Sequence, residues 1–163
     1  MRLERSRFVL VFLLVAVVSI AGKSRVQQRE LFYEAFSSGS AEQIDQALAA
    51  IKRANGKLAI AYEGALLMRK AGLIKGAGEK LKMFKKGHEL FESEIAKDPG
   101  NVELKFIRLC IQEKAPKILK YRKELDEDKA AVIKHFSMLP QEVQKQVLDY
   151  AASSEILTEQ DLK

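Results

Sequence analysis

The sequence predicts an all-α protein, with about seven helices arranged as antiparallel hairpins. Apolar residues recur at intervals of three and four along most of the chain, which is the helical period. No segment alternates apolar and polar residues over the length of a strand with β-branched enrichment. The 163 residues are 47% hydrophobic and 31% charged, which suits one packed domain and is short for two.

The first 21 residues have the pattern of a secretory signal peptide. A basic start, MRLERSR, precedes a wholly apolar run over 8–18, and small residues follow at Ser19 and Ala21. The alternative is an uncleaved anchor, but the apolar stretch is shorter than the roughly 20 residues that span a bilayer. We therefore predict cleavage near Ala21, export to the periplasm or the exterior, and a single all-α domain over 22–163.

Three helices are predicted in the first half of that domain. The first covers 25–36 and stops at the Ser-Ser-Gly run that follows. Ser40 stands three residues before Gln43, the spacing of a capping box, so a second helix begins there and ends near Gly56. A third covers about 58–70. The inward residues predicted for these helices are Leu31, Phe32, Ala35, Phe36, Ile44, Leu48, Ile51, Ile60 and Leu67, with small residues at Ala61, Gly64 and Ala65.

The second half is predicted to contain the central helix. The Gly-rich link GLIKGAG leads to a helix over 79–96, which Pro99 stops, and Asn101 can cap the next one. That helix, over about 102–113, is apolar around most of its circumference, which is typical of a central position. Further helices are expected over 118–137 and after Pro140, with a short terminal helix or tail over 156–163. The core residues predicted here include Phe84, Gly87, Phe91, Ile95, Val143, Val147, Leu148 and Tyr150.

One segment, GHELFESEIAKDPGN at 87–101, resembles the second helix and exit turn of a tetratricopeptide repeat. Gly87, Phe91 and Pro99 stand at that repeat's small, aromatic and proline positions. Glu94 departs from the pattern, and the Gly-rich link interrupts the repeat period of about 34 residues. The resemblance extends loosely over 58–113. It leaves two architectures open, an array similar to tetratricopeptide repeats and an irregular bundle.

A longer stretch, from Phe84 to Tyr121, is similar to a family of small exported bacterial helical proteins. The shared features are a Phe-Ile-Arg-Leu run at 106–109, Gln112-Glu113, Pro116 and a later Asp128-Lys129. This resemblance implies export and a helical fold, and it implies no reaction.

A polar strip on the central helix is the predicted partner-binding site. Arg108 and Gln112 lie one helical turn apart, and Lys105 lies near them. Because arginine binds a carboxylate bidentately, the strip is suited to a carboxylate ligand or a peptide C-terminus. The alternative is an internal ion pair that fixes helix register, with Glu113 or Asp128 as the acid.

A basic cluster at 69–86 is the second candidate site. It carries a net charge of +6, more than the +4 of residues 22–163, which have 25 basic and 21 acidic residues. Such a cluster can attract anionic lipid headgroups, acidic envelope polymer or an acidic protein. The alternative is a solvated face whose lysine stems cover apolar surface. Its cations are Arg69, Lys70, Lys75, Lys80, Lys82, Lys85 and Lys86.

No catalytic or metal-binding constellation stands out in the sequence. One cysteine cannot form an internal disulfide, and two histidines with one cysteine cannot form a Cys/His zinc site. Cys110 is expected in the core, and His88 and His135 at the surface or its boundary. Glu103 is expected to have a structural role in the first turn of its helix. We therefore predict no enzymatic activity, no metal and no cofactor.

These observations favour an exported scaffold or binding module for a protein or peptide partner. The alternative is a binder of an anionic envelope surface, such as a membrane, through the cluster at 69–86. Nucleic acid is not an expected partner, because stacking aromatics are not interleaved with the cations. The sequence leaves the oligomeric state open.

Overall fold

The computed structural model describes residues 26–54, 56 and 58–163, so the signal peptide predicted at 1–21 lies outside the described residues. The described part is all-α and contains no strand, which confirms the predicted fold class, and its helices pack as an irregular bundle. Its α-helices are α1 at 26–37, α2 (Ala41–Ala54), α3 (Ala59–Ala71), α4 (Ala77–Lys97), α5 (Val102–Lys114), α6 (Leu125–His135) and α7 (Gln141–Ala151). Short 3₁₀ turns occupy Lys117–Leu119, Phe136–Met138 and Glu159–Leu162. None of the described helices is long and apolar enough to cross a membrane.

The turn between α1 and α2 is held by side-chain caps. The backbone N–H of Gln43 donates to Ser40 Oγ at 3.2 Å, which is half of the predicted capping box. On the other side of the turn, the Arg69 guanidinium donates to the carbonyl oxygens of Phe36 at 3.0 Å and Ser38 at 3.1 Å. Carbonyls at a helix C-terminus lack partners within the helix, so Arg69 of α3 caps α1 from outside.

Helices α3 and α4 form the closest helix pair, and two glycines make this possible. A Cβ atom on Gly64 would lie 2.7 Å from both the carbonyl oxygen of Gly87 and the amide nitrogen of Phe91. A Cβ on Gly87 would lie 2.5 Å from the carbonyl oxygen of Gly64. The two backbones are therefore in contact, as the predicted small residues allow, and Phe91 is fully buried beside them.

Helix α5 is the central helix, as predicted. Asn101 caps it, because its side-chain oxygen accepts a hydrogen bond from the backbone N–H of Leu104 at 3.2 Å. Ten of its residues are buried, and this set includes the polar or charged side chains of Glu103, Arg108, Gln112 and Glu113. Buried charged groups need hydrogen-bond or ion-pair partners. The neighbouring helices must therefore supply partners to these side chains of α5.

The helix predicted over 118–137 begins later than predicted, and only its part over 125–135 is α-helical. The chain forms a 3₁₀ turn at Lys117–Leu119, Lys120 adopts a left-handed backbone with φ of 50°, and α6 begins only at Leu125. Arg122 gives the physical reason, because its guanidinium donates to the backbone carbonyls of Gln112, at 2.9 Å, and Glu113. These bonds cap the C-terminal end of α5 and hold the residues between α5 and α6 against it.

Two residues predicted for the core lie at the surface instead. Ile60 is exposed in the first turn of α3, and Tyr62 is the large buried side chain of that turn. Leu148 is exposed because the buried stripe of α7 runs through Val143, Val147 and Ala151, one residue away from it. A helix turns by about 100° per residue, so this offset moves Leu148 off the buried face.

Candidate functional site

Arg108, the centre of the predicted partner-binding strip, is buried in an ion-pair network. Its Nε and Nη2 atoms donate to the two carboxylate oxygens of Asp128 at 2.6 Å and 2.9 Å. Its Nη1 atom donates to Glu92 at 3.0 Å. Burial alone would lower the pKa of the Arg108 guanidinium, but Asp128 and Glu92 outweigh burial and raise it. The structure thus shows the internal pairing with Asp128 that the sequence left open as the alternative.

The other two members of the strip are also engaged inside the protein. Lys105 Nζ lies 2.7 Å from a carboxylate oxygen of Glu127 and 4.0 Å from Asp128. Gln112 is fully buried and donates to Glu124 at 2.9 Å. The strip of Lys105, Arg108 and Gln112 therefore fastens α5 to α6 and to the turn before it, and does not face solvent.

A second buried network surrounds Glu103, and the sequence did not reveal it. Arg29 donates to Glu103 Oε2 from Nη2 at 2.9 Å and from Nε at 3.0 Å, and Tyr62 Oη donates to Oε1 at 2.6 Å. Burial raises the pKa of Tyr62, and the Glu103 carboxylate raises it further. Arg29 also donates to Glu142 of α7 at 3.0 Å. The network therefore joins four helices, α1, α3, α5 and α7.

This network has the character of a structural anchor. All three guanidinium nitrogens of Arg29 donate to carboxylates, and these bonds join α1 to α5 and α7. The network lies in the wall of a half-open groove of about 510 Å³, which Arg29, Tyr62 and Glu103 line together with His135 and Met138 among others. Over residues 26–54, 56 and 58–163, no three His, Cys, Asp or Glu side chains are grouped so that they could hold a metal ion.

Glu113 attaches the C-terminal segment to the end of α5. Its carboxylate accepts hydrogen bonds from Ser154 Oγ at 2.7 Å, from the backbone N–H of Glu155 at 3.1 Å and from the hydroxyl of Tyr150. Burial alone would raise the pKa of this carboxyl, but the bonds from Ser154 and Glu155, with Lys114, outweigh burial and lower the pKa. The carboxylate form is thus favoured in the folded protein.

Replacing Glu113 with glutamine should lower the free energy of unfolding by about 1–2 kcal/mol at pH 7, because a charged acceptor is lost. A group with a lowered pKa stabilises the fold at neutral pH, and that contribution disappears as the pH falls through the lowered value. Urea unfolding of the wild type and E113Q at pH 7 and below about pH 3 measures both effects. A stability difference that stays constant across this range would contradict the assignment.

The predicted basic cluster divides into two groups in the structure. Arg69 and Lys70 are engaged internally, Arg69 as the cap of α1 and Lys70 through an ion pair of 2.6 Å with Asp45. The other cations are exposed, and none of them takes part in an ion pair in the part of the chain that the structure describes. They are Lys75, Lys80, Lys82, Lys85 and Lys86.

A second cationic segment lies opposite the first half of α4. A half-open groove of about 420 Å³ separates α4 from the 117–124 segment, with Leu81, Phe84 and Leu119 as its apolar lining. Lysines from both sides also line this groove, namely Lys85, Lys120 and Lys123. We use "basic surface" for the exposed lysines of the two segments, which are Lys75, Lys80, Lys82, Lys85, Lys86, Lys117, Lys120 and Lys123.

The sequence could have revealed this second segment, because KILKYRK at 117–123 carries four cations and no acid. The continuous helix predicted over 118–137 would spread these cations around its circumference, so it does not predict that they form one charged segment. The remaining predicted residues lie as expected: Cys110 is buried, which raises the pKa of its thiol. His88 is half-buried against Tyr121, with 4.8 Å between ring centroids, and His135 is half-buried too.

Comparison of the chain with protein-family models, with curated proteins and with solved structures found no match. The resemblances of 87–101 to a tetratricopeptide repeat and of Phe84–Tyr121 to exported helical proteins therefore stay predictions.

Proposed function

We propose that this protein is a non-catalytic module that binds polyanionic surfaces through its basic surface. The observation that carries the proposal is the contrast between two sets of cations. Arg29, Arg69, Lys70, Lys105 and Arg108 are each bonded to acids or carbonyls within the fold. The lysines of the basic surface, in contrast, are exposed, and three of them, Lys85, Lys120 and Lys123, line the groove between α4 and the 117–124 segment.

The charge of this surface is large enough for binding. A lysine near an anionic membrane surface contributes about 1 kcal/mol, so several acting together give appreciable affinity. Glu79 is the acidic residue within 75–86, and 117–123 has none. The acids of the groove lining, Glu92 and Glu124, accept hydrogen bonds from Arg108 and Gln112, so their charge is partly engaged inside the protein. The signal peptide predicted at 1–21 supports a partner in the cell envelope, such as anionic phospholipid or acidic polymer.

Charge reversal at the groove tests the proposal. The purified protein is mixed with vesicles of phosphatidylcholine and phosphatidylglycerol, and separately with polyglutamate, at low and moderate salt. We expect the variant with glutamate at Lys82, Lys85 and Lys120 to bind both at least about tenfold more weakly, because the attraction turns into repulsion. Wild-type binding should weaken as salt shortens the screening length from about 30 Å at 0.01 M to about 8 Å at 0.15 M.

The matched control reverses three exposed lysines away from the groove, namely Lys134, Lys145 and Lys163. Both variants have the same net charge, so only the position of the change differs between them. Equal losses in the two variants would show that binding follows net charge and would refute a localised surface. Circular dichroism on both variants verifies that the helices are intact.

A second candidate function, which the sequence favours, is a scaffold for a protein or peptide partner. The observation in its favour is the groove of about 510 Å³ beside α1 and α5, where Met138 is 78% exposed. Apolar binding in such a groove survives salt, whereas binding by the basic surface does not. A specific protein partner retained at high salt by the triple variant at Lys82, Lys85 and Lys120 would favour this candidate.

A further inference from the structure

We propose that the anionic surface is a lipid bilayer and that Ile118 inserts into it beside the lysines of the basic surface. The inference rests on the proposed function and names its partner. Ile118 is 87% exposed, although isoleucine is among the residue types most often fully buried. A single exposed apolar residue is ordinary, so the significance of Ile118 depends on its neighbours.

The surroundings of Ile118 have the composition of a membrane-interface segment. Lys117 and Lys120 flank it on its own turn, and both are exposed. Across the groove, Leu81 is 42% exposed between Lys80 and Lys82. Both sides of the groove thus carry exposed apolar and cationic side chains, the combination by which amphipathic surfaces bind at the boundary between headgroups and acyl chains.

The backbone presents Ile118 on a defined turn. The 3₁₀ turn Lys117–Leu119 ends at Lys120, whose left-handed backbone reverses the chain direction. Arg122 then fastens the far side of the turn to the carbonyls of Gln112 and Glu113 at the end of α5. Because the turn is tied at its base, little conformational entropy remains to be lost when Ile118 inserts.

The position of Ile118 favours a bilayer over the other anionic partners. An acidic polymer offers carboxylates or phosphates but no apolar phase for an isoleucine. An acidic peptide would occupy the groove, yet Ile118 is absent from the groove lining, and Glu92 and Glu124 in that lining would repel acidic side chains. A bilayer places anionic headgroups and acyl chains at adjacent depths. The lysine ammonium groups can therefore contact headgroups while the side chain of Ile118 contacts acyl chains.

A single tryptophan tests the insertion directly. The chain has no tryptophan, so Ile118→Trp introduces a unique fluorophore at an exposed position. With vesicles of phosphatidylcholine and phosphatidylglycerol, we expect a blue shift and quenching by brominated acyl chains. The matched control is Met138→Trp, which is also exposed but lies at the other end of α5, about 20 Å away by helix length. This control should show neither effect.

A second variant separates insertion from electrostatic attraction. Ile118→Asn should weaken binding to the anionic vesicles by about tenfold and leave low-salt binding to polyglutamate unchanged, because only the bilayer receives the apolar side chain. An unshifted and unquenched I118W spectrum on bound vesicles would overturn the insertion while the proposed function stands. Equal quenching of both tryptophan variants would indicate unspecific adsorption and would overturn the insertion of Ile118. Absence of binding to vesicles and polyglutamate alike would overturn the proposed function itself.

Discussion

Replacing Asp128 with alanine should destabilise the protein by about 3–5 kcal/mol, because it leaves a buried guanidinium without its main partner. Arg108 would lose the acceptors of its Nε and Nη2 atoms and keep only Glu92. Arg108 and Asp128 are both buried, so the guanidinium would be left in a site that bulk water reaches poorly. Urea unfolding followed by circular dichroism measures the loss.

Two controls make this prediction specific. Glu127→Ala removes the neighbouring exposed acid, which pairs with Lys105, and should leave the unfolding midpoint almost unchanged. The double variant with Asp128→Ala and Arg108→Met should recover much of the lost stability, because no buried charge is left unpaired. A double variant no more stable than Asp128→Ala alone would refute the ion-pair explanation and indicate lost packing instead.

Replacing Gly64 with alanine should destabilise the protein by about 1–2 kcal/mol, although alanine is the better helix former. The helix preference favours alanine by about 1 kcal/mol. Against this, the new methyl group would lie 2.7 Å from backbone atoms of Gly87 and Phe91. Backbone atoms cannot rotate away as side chains do, so α3 and α4 must separate, and overpacking of this kind costs about 1–3 kcal/mol or more.

Gly78 provides the matched control within the same helix pair. It also lies in α4, but a Cβ atom there would meet nothing within 4 Å. Gly78→Ala should therefore leave stability unchanged or raise it by up to about 1 kcal/mol. Thermal unfolding of the two variants gives the comparison, and equal midpoints would show that the α3–α4 backbone contact carries no energetic weight.

The parts of the fold that the sequence predicts are those encoded locally. Asn101 caps α5 through a residue three positions away, and Pro99 ends the preceding helix by its own geometry. The contact between Gly64 and Gly87 also follows from a local property, since only small residues admit a neighbouring backbone. The central position of α5 follows from its apolar circumference.

The parts that escape prediction depend on residues far apart in sequence. The partners of Glu103 come from α1 and α3, and no local pattern links Arg29 or Tyr62 to it. The break before α6 depends on Arg122 reaching back to the carbonyls at the end of α5. For Arg108 the sequence narrowed the acid to two candidates, and only the packing of α6 selects Asp128.

The anchoring of α1 has a consequence for the order in which the chain acquires its structure. Its polar partners lie 33 positions away at Arg69, 74 away at Glu103 and 113 away at Glu142. Helices α3 and α4, in contrast, are neighbours in the chain and pair through local contacts. Contacts between distant positions form slowly, so α1 docks late, after the ribosome has released almost the whole sequence. Docking of α1 is therefore among the last steps in the folding of the described part of the chain.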